Sequence, residues 1–227
     1  MRTSKHHDRR LLQLKDDTMQ IVPMKAEFIT ATPNIAEVIE HACRTCYKSH
    51  HLVKEGSAER LFNQIVKQSH HDSVCEHGSI TMYLTIDRAV LAQLTRHRIG
   101  FAYSVESQRY CNYSKDKFGN EVTFIKPADL DEKTYAFDAW VWAMEDAESW
   151  YFTLLEEGIK PETARSVLPN STKCELTITG NIRAWRHFFQ LRAGGHAQID
   201  IQNLCKLIHE EMLANGIPAY LFDDIMG

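Results

Sequence analysis

The stretch LTRHRIGFAYSVESQRYCNYSK, residues 94–115, sets Arg96, His97, Arg98 and Arg109 within fourteen positions and interleaves them with Phe101, Tyr103, Tyr110 and Tyr113. A guanidinium is a planar fork that holds phosphate or carboxylate through two bonds, and an aromatic ring offers a face on which a planar heterocycle stacks. Phosphate plus ring suggests a nucleotide. The plainer reading is a helix C-terminus whose cations complement the helix dipole. Two further clusters shift the balance. HHDSVCEH carries His71, Ser73, Glu76 and His77, and RAWRHFFQLRAGGHAQID carries Arg183, Arg186, His187, Arg192 and His196. His71 with Cys75, Glu76 and His77 is the best zinc set the chain offers. No HExxH or second CxxC supports it, and the surrounding arginines would repel a dication, so no metal is expected.

These segments need a scaffold, and the sequence reads as mixed α and β. MQIVPMKAEFITAT is an opening strand or pair of strands. A helix follows over 34–49, its Ile35, Val38, Ile39, Ala42 and Cys46 recurring at helical spacing. That places Cys43 and Cys46 on the core face. SAERLFNQIVKQ reads as a helix capped by Ser57 with Leu61, Ile65 and Val66 on one face, and SITMYLTI as a strand. RAVLAQLTRHR is then a helix bringing Gln93, Arg96 and His97 to one flank, left at Gly100 for a loop with Ser104, Ser107 and Arg109. EVTFIKP is a strand, and the longest helix spans 131–158 with Trp140, Trp142, Trp150 and Phe152. PETARSVLP has proline at a helix start and end. The last third reads as strand CELTIT, helix NIRAWRHFFQLR, and a helix over 197–215 closed by Gly216. The fold class is α+β: helices around a small antiparallel or mixed sheet in one compact domain, 19–227, after a flexible N-terminal tail, 1–18.

The chain's 227 residues, 44% of them hydrophobic, suffice for a sizeable core. A formal charge of −4, from 26 Lys plus Arg against 30 Asp plus Glu, argues against nucleic acid or an anionic membrane as partner. With no apolar run of membrane-span length and no apolar signal core, the expected location is cytoplasmic and the six cysteines are expected as reduced thiols.

RHR followed by SQRY, preceded by HDSVCEH and followed by RSVLPNS and LRAGGHAQ, resembles the flavin-dependent thymidylate synthases over nearly the whole chain from Met19 onward. That family's signature has seven residues between RHR and the serine; here eight, 99–106, precede Ser107. The resemblance implies FAD as cofactor, NADPH and methylenetetrahydrofolate as co-substrates, and reductive methylation of dUMP to dTMP. By motif, His71, Ser73, Glu76, Arg96, His97, Arg98, Ile99, Asn181, Arg183 and His187 would hold FAD. Gln93, Glu106, Ser107, Arg109 and Arg192 would face dUMP, with Lys173 standing where the family carries an arginine after LPNS. Arg109 suits the 5′-phosphate, and Arg192 suits negative charge developing on the pyrimidine.

Arg192 and Ser107 are thus the implied catalytic pair. Ser107 as a nucleophile would need a base within reach; the alternative is a phosphate or ring contact. The family forms no cysteine adduct, so Cys111 is either a low-pKa thiol beside arginines or a buried neutral side chain. The family also implies a homotetramer with sites shared between chains. Short contact segments that must wrap two large ligands, and the aromatic helix over 131–158, favour pooling of neighbours' segments. Rival classes are an RNA-binding module built on Arg and Tyr, and a flavoenzyme with unrelated oxidation chemistry.

Overall fold

Strand Lys173–Asn181 alternates Cys174, Leu176, Ile178 and Gly180 on one face with Glu175, Thr177 and Thr179 on the other, the period of a sheet with one buried face. Its partner Ser79–Asp87 matches it residue for residue, pairing Ile80 with Gly180, Met82 with Ile178, and Leu84 with Leu176. On the opposite face the hydroxyls of Thr81 and Thr179 are 2.9 Å apart. The computed structural model describes residues 19–115 and 121–226, so the expected tail over 1–18 lies outside the described residues.

The strands are β1 (Gln20–Ile21), β2 (Lys25–Ala31), β3 (Ser79–Asp87), β4 (Phe101–Val105), β5 (Thr123–Phe124) and β6 (Lys173–Asn181). The main sheet has the order β2-β3-β6-β4, antiparallel throughout. β1 and β5 form a separate parallel pair. The helices are α1 (Ile35–Thr45), α2 (Ser57–Phe62), α3 (Arg88–Leu94), α4 (Tyr135–Glu156), α5 (Pro161–Ala164), α6 (Ile182–Arg192), α7 (Ile199–Ala214) and α8 (Asp223–Met226).

The apolar face of the sheet is covered by α1, α6 and α7. Trp185, Phe188 and Phe189 of α6, and Leu204, Ile208 and Met212 of α7, are fully buried in that core. Each such side chain contributes about 1.5–3 kcal/mol by leaving water. A second cluster, with Tyr113, Val122, Phe124, Met144 and Tyr151, lies under α4. The outer face of α4 leaves Trp142 and Trp150 more than half exposed, at 52% and 54%.

Several local expectations are corrected. The first helix is shorter, ending at Thr45, and it buries Cys43 while leaving Cys46 exposed, three residues round the helix from it. Gly56, in the left-handed region at φ 71°, occupies the cap position of α2. Ser57 is instead the first helical residue, and its hydroxyl donates to the buried Glu40 carboxylate at 2.5 Å. Beyond α2 the coil widens into a π-helix, Asn63–Gln68. α3 stops at Leu94, so Arg96 and His97 stand in the turn after it. Ser104 lies on β4, where β6 gives the chain a hydrogen-bonding edge to pair with, not in a loop.

Cys43, Cys46, Cys75, Cys174 and Cys205 are free thiols. Burial pushes Cys75, Cys174 and Cys205 up to about 12 and Cys43 up to about 11. Cys111 is half-buried against the second cluster.

Candidate active site

A cleft of about 660 Å³ opens where four short pieces of chain meet: the 3₁₀ turn Asp72–His77, the turn after α3, the first residue of β4, and the outer face of α6. Each piece is held by an identifiable contact. α3 starts because the Asp87 carboxylate accepts the Val90 N–H at 2.6 Å. At its other end the Tyr103 hydroxyl, reaching back from β4, donates to the carbonyls of Leu94 (3.0 Å) and His97 (2.6 Å). Burial pushes Tyr103 up to about 12, so it remains a donor. Gly100 then turns at φ 79°, where a Cβ would lie 2.8 Å from that of Ala184. The turn therefore runs hard against the start of α6, itself capped by the Asn181 side chain accepting the Ala184 N–H at 2.8 Å.

Within the Arg-His-Arg turn the middle ring goes inward and the outer two side chains stay exposed. His97 packs edge-on to Phe188, ring centroids 5.2 Å apart, and its Nε2 accepts the Nε–H of Arg192 at 3.0 Å. Burial, then the charges of Arg192 and His187, lower His97 to about 4, which keeps the ring neutral. Arg96 and Arg98 form no ion pair among the described residues. Arg183 pairs with Glu76 at 2.6 Å across the cleft mouth. Arg186, 6% exposed, donates to both carboxylate oxygens of Asp224 (2.8 and 2.6 Å) and to the Leu221 carbonyl (2.5 Å), which ties α6 to the C-terminal segment.

The cleft thus collects Glu76, Arg96, His97, Arg98, Ile99, Asn181, Arg183, His187 and Arg192 of the residues singled out from sequence. Gln93 borders it, its carbonyl accepting from Arg192 at 3.5 Å. Ser73 belongs to the 3₁₀ segment and His71 immediately precedes it, and neither lines the cleft. Glu106, Ser107, Arg109 and Lys173 also do not line it. Arg109 is paired with Glu162 at 2.7 Å, and Lys173 with Glu175 at 2.9 Å. Glu106 accepts the Tyr113 hydroxyl at 2.7 Å and the Glu175 N–H at 3.2 Å. The Ser107 hydroxyl meets the Arg109 N–H at 3.3 Å and no side-chain base.

Sequence reading placed Arg186 in the cluster without giving it a ligand, and it missed Gln190 as a lining residue. Arg183, Arg186, His187 and Gln190 recur at three- and four-residue steps, so helical spacing alone could have found them. Among the described residues no group of three or more His, Cys, Asp or Glu could hold a metal ion. The donor set suits an anion: Arg96 and Arg98 lack carboxylate partners, and a diphosphate would supply both charge and acceptors. The volume falls in the range of cofactor sites.

An α+β fold that gathers uncompensated arginines around a ring-sized cleft defines a nucleotide-binding protein. The model of the thymidylate synthase complementing protein family matches residues 27–216, and the chain belongs to this family, the flavin-dependent thymidylate synthases. It is 33% identical over 207 residues to the flavin-dependent thymidylate synthase of Geobacter sulfurreducens, covering 88% of this chain and 86% of that one. The enzyme of the same name from Mycolicibacterium gilvum is 30% identical over 210 residues, covering 85% and 81%. Among solved structures, a UMP/dUMP methylase from Streptomyces cacaoi, bound with 5-Br dUMP, is similar at TM-score 0.74 and 25% identity, covering 89% of this chain and 95% of that one. Thymidylate synthase X from Helicobacter pylori, solved with FAD and dUMP, shares the fold at TM-score 0.72 and 24% identity, covering 89% and 99%.

Proposed function

We infer that this chain is a flavin-dependent thymidylate synthase that converts dUMP to dTMP, with methylenetetrahydrofolate as carbon donor and NADPH-reduced FAD as hydride donor. The observation that carries the reading is the cleft in which the Arg96-His97-Arg98 turn meets Asn181, Arg183, His187 and Arg192. Bound FAD, once reduced, supplies the hydride. The chain's own residues do the rest. Arg96 and Arg98 hold the diphosphate by charge-assisted bonds, with Ile99 at 93% exposure offering an apolar surface beside them. Neutral His97 keeps the Arg192 guanidinium in one orientation, from which it stabilises negative charge on the pyrimidine. Ser107, with no side-chain base beside it, serves as a ligand contact rather than a nucleophile. Arg109 binds the 5′-phosphate by exchanging its Glu162 partner for the substrate's oxygens, and Lys173 contributes a nearby point charge.

The catalytic domain spans 19–227. The assembly we propose is a homotetramer with shared sites. Its support is that Ser107, Arg109 and Lys173 do not line the cleft holding Arg192 within one chain, and that α4 leaves Trp142 and Trp150 exposed. No helix among the described residues is long and apolar enough to cross a membrane, and we place the activity in the cytoplasm.

The test is stepwise. The purified protein should bind FAD, and the NADPH-reduced flavin should be oxidised in the presence of dUMP and methylenetetrahydrofolate with formation of dTMP. A protein that binds no FAD ends the reading. One that binds FAD and makes no dTMP is a flavoenzyme of another kind.

A further inference from the structure

Three side chains form a directional relay beside the cleft. Asp200, 2% exposed near the start of α7, accepts the Ala128 N–H on Oδ1 at 2.7 Å. Its Oδ2 accepts Nε2 of Gln198 at 2.8 Å. Oε1 of Gln198 in turn accepts Nε2 of Gln93 at 2.5 Å. A carboxylate only accepts and a backbone N–H only donates, so the first link can run in one sense alone. An amide carries its donor and acceptor at opposite edges. Once Gln198 gives its NH₂ to Asp200, its oxygen must face Gln93; once Gln93 gives its NH₂ to Gln198, its own oxygen must face away. The polarity of the half-buried Gln93 amide is therefore written by a buried acid two links behind it.

We propose that Asp200, acting through Gln198, is a positioning residue that fixes Gln93 as a hydrogen-bond acceptor toward the substrate, so that this position selects a pyrimidine carrying a donor at N3. This rests on the reading that Gln93 faces dUMP. It fits the chemistry of the two natural pyrimidines: neutral uracil has an N3–H donor, whereas cytosine N3 is an acceptor. The neighbouring Arg192, which donates to the Gln93 backbone carbonyl at 3.5 Å, offers only donors, suited to the uracil oxygens. Gln93 then supplies the acceptor the arginine lacks. A cytosine nucleotide would set two acceptors, its N3 and the Gln93 oxygen, against each other, and leaving both unpaired is what makes such discrimination strong.

Asp200→Asn tests the relay at almost constant shape. The Asn oxygen still accepts from Ala128, but its NH₂ must now donate to Gln198, and both glutamine amides turn over. The FAD-loaded variant should bind dUMP roughly tenfold more weakly, the worth of one hydrogen bond lost to a buried partner, while its preference for dUMP over dCMP shrinks by more than that factor. Gln198→Met cuts the relay without touching Asp200 and should also lower the dUMP/dCMP ratio, which keeps the test alive if Asp200→Asn does not fold. An unchanged ratio in a folded, FAD-replete Asp200→Asn or Gln198→Met protein overturns the proposal; equal weakening of both nucleotides does the same. Gln93→Ala separates the two layers. If that variant binds dUMP like the parent chain, the placement of Gln93 is wrong; if it loses affinity while Asp200→Asn does not alter selectivity, only the relay is wrong.

Discussion

Arg192 donates its Nε–H to Nε2 of His97 across 3.0 Å, joining the last turn of α6 to the middle of the Arg-His-Arg turn. This bond requires a histidine with a free lone pair. Burial, with the positive charge of Arg192 and the neighbouring His187, supplies it by lowering His97 to about 4. The unfolded chain binds this proton near the usual histidine value of about 6.5. The stability the neutral ring provides is therefore complete above that value and is lost as pH falls toward 4. Thermal melts of the free protein between pH 7 and 4 should show this slope, and His97→Gln, which keeps an acceptor without titrating, should flatten it. An identical slope in that variant would assign the acid sensitivity elsewhere.

Arg192→Ala should abolish dTMP formation, by about 10²-fold or more, while the protein still takes up FAD, because the guanidinium is assigned to charge developing on the substrate. Arg192→Lys should not restore it, since an ammonium cannot bond His97 and the pyrimidine as one planar fork. Flavin absorbance of the desalted variant checks the first half. Loss of FAD in Arg192→Ala would place the residue in the cofactor subsite.

Gly180→Ala should destabilise the fold by about 1–3 kcal/mol. A Cβ there would collide with the Phe101 ring and sit 2.9 Å from the indole nitrogen of the fully buried Trp185, so the Phe101 ring would have to shift toward the cleft. Urea unfolding measures the loss. Because Phe101 opens β4 and lines the cleft, weaker FAD binding should accompany it.

Cys111→Ser should keep substantial activity, since no thiol adduct is part of the proposed chemistry. Alkylation of the native protein should label the exposed Cys46, while Cys75, Cys174 and Cys205, pushed up to about 12 by burial, should react only on unfolding. A trapped Cys111–nucleotide adduct would reverse the mechanistic reading.

Shared sites predict complementation. Arg109→Ala and Arg192→Ala, each inactive alone, should regain part of the activity after subunit exchange, because Arg109 does not line the cleft holding Arg192 within one chain and some mixed assemblies would contain one site with both arginines intact. If exchange is verified and the mixture stays dead, this pair of residues serves one chain's own site.

The cleft was legible in the sequence where its residues fall in continuous motifs: RHR and the Arg183–Arg192 helix needed only periodicity and charge. The antiparallel sheet was legible through the alternation of β3 and β6. What escaped were features set by long-range partners. β4 pairs with β6, and the alternation of Phe101, Tyr103 and Val105 with Ala102 and Ser104 was a local strand signal that the glycine before it and the polar residues after it obscured. The Gln93, Gln198 and Asp200 relay joins positions 105 residues apart, and its polarity depends on the Ala128 N–H. The ion pair that occupies Arg109 depends on Glu162, 53 residues away.

The clamp between Arg186 and Asp224 also has a consequence in time. The two partners are 38 residues apart, and the arginine is synthesised first. Until the later carboxylate leaves the ribosome, α6 carries a guanidinium that its burial site cannot tolerate unpaired. The helix that lines the cleft therefore gains this stabilising partner only after the C-terminal segment has been made.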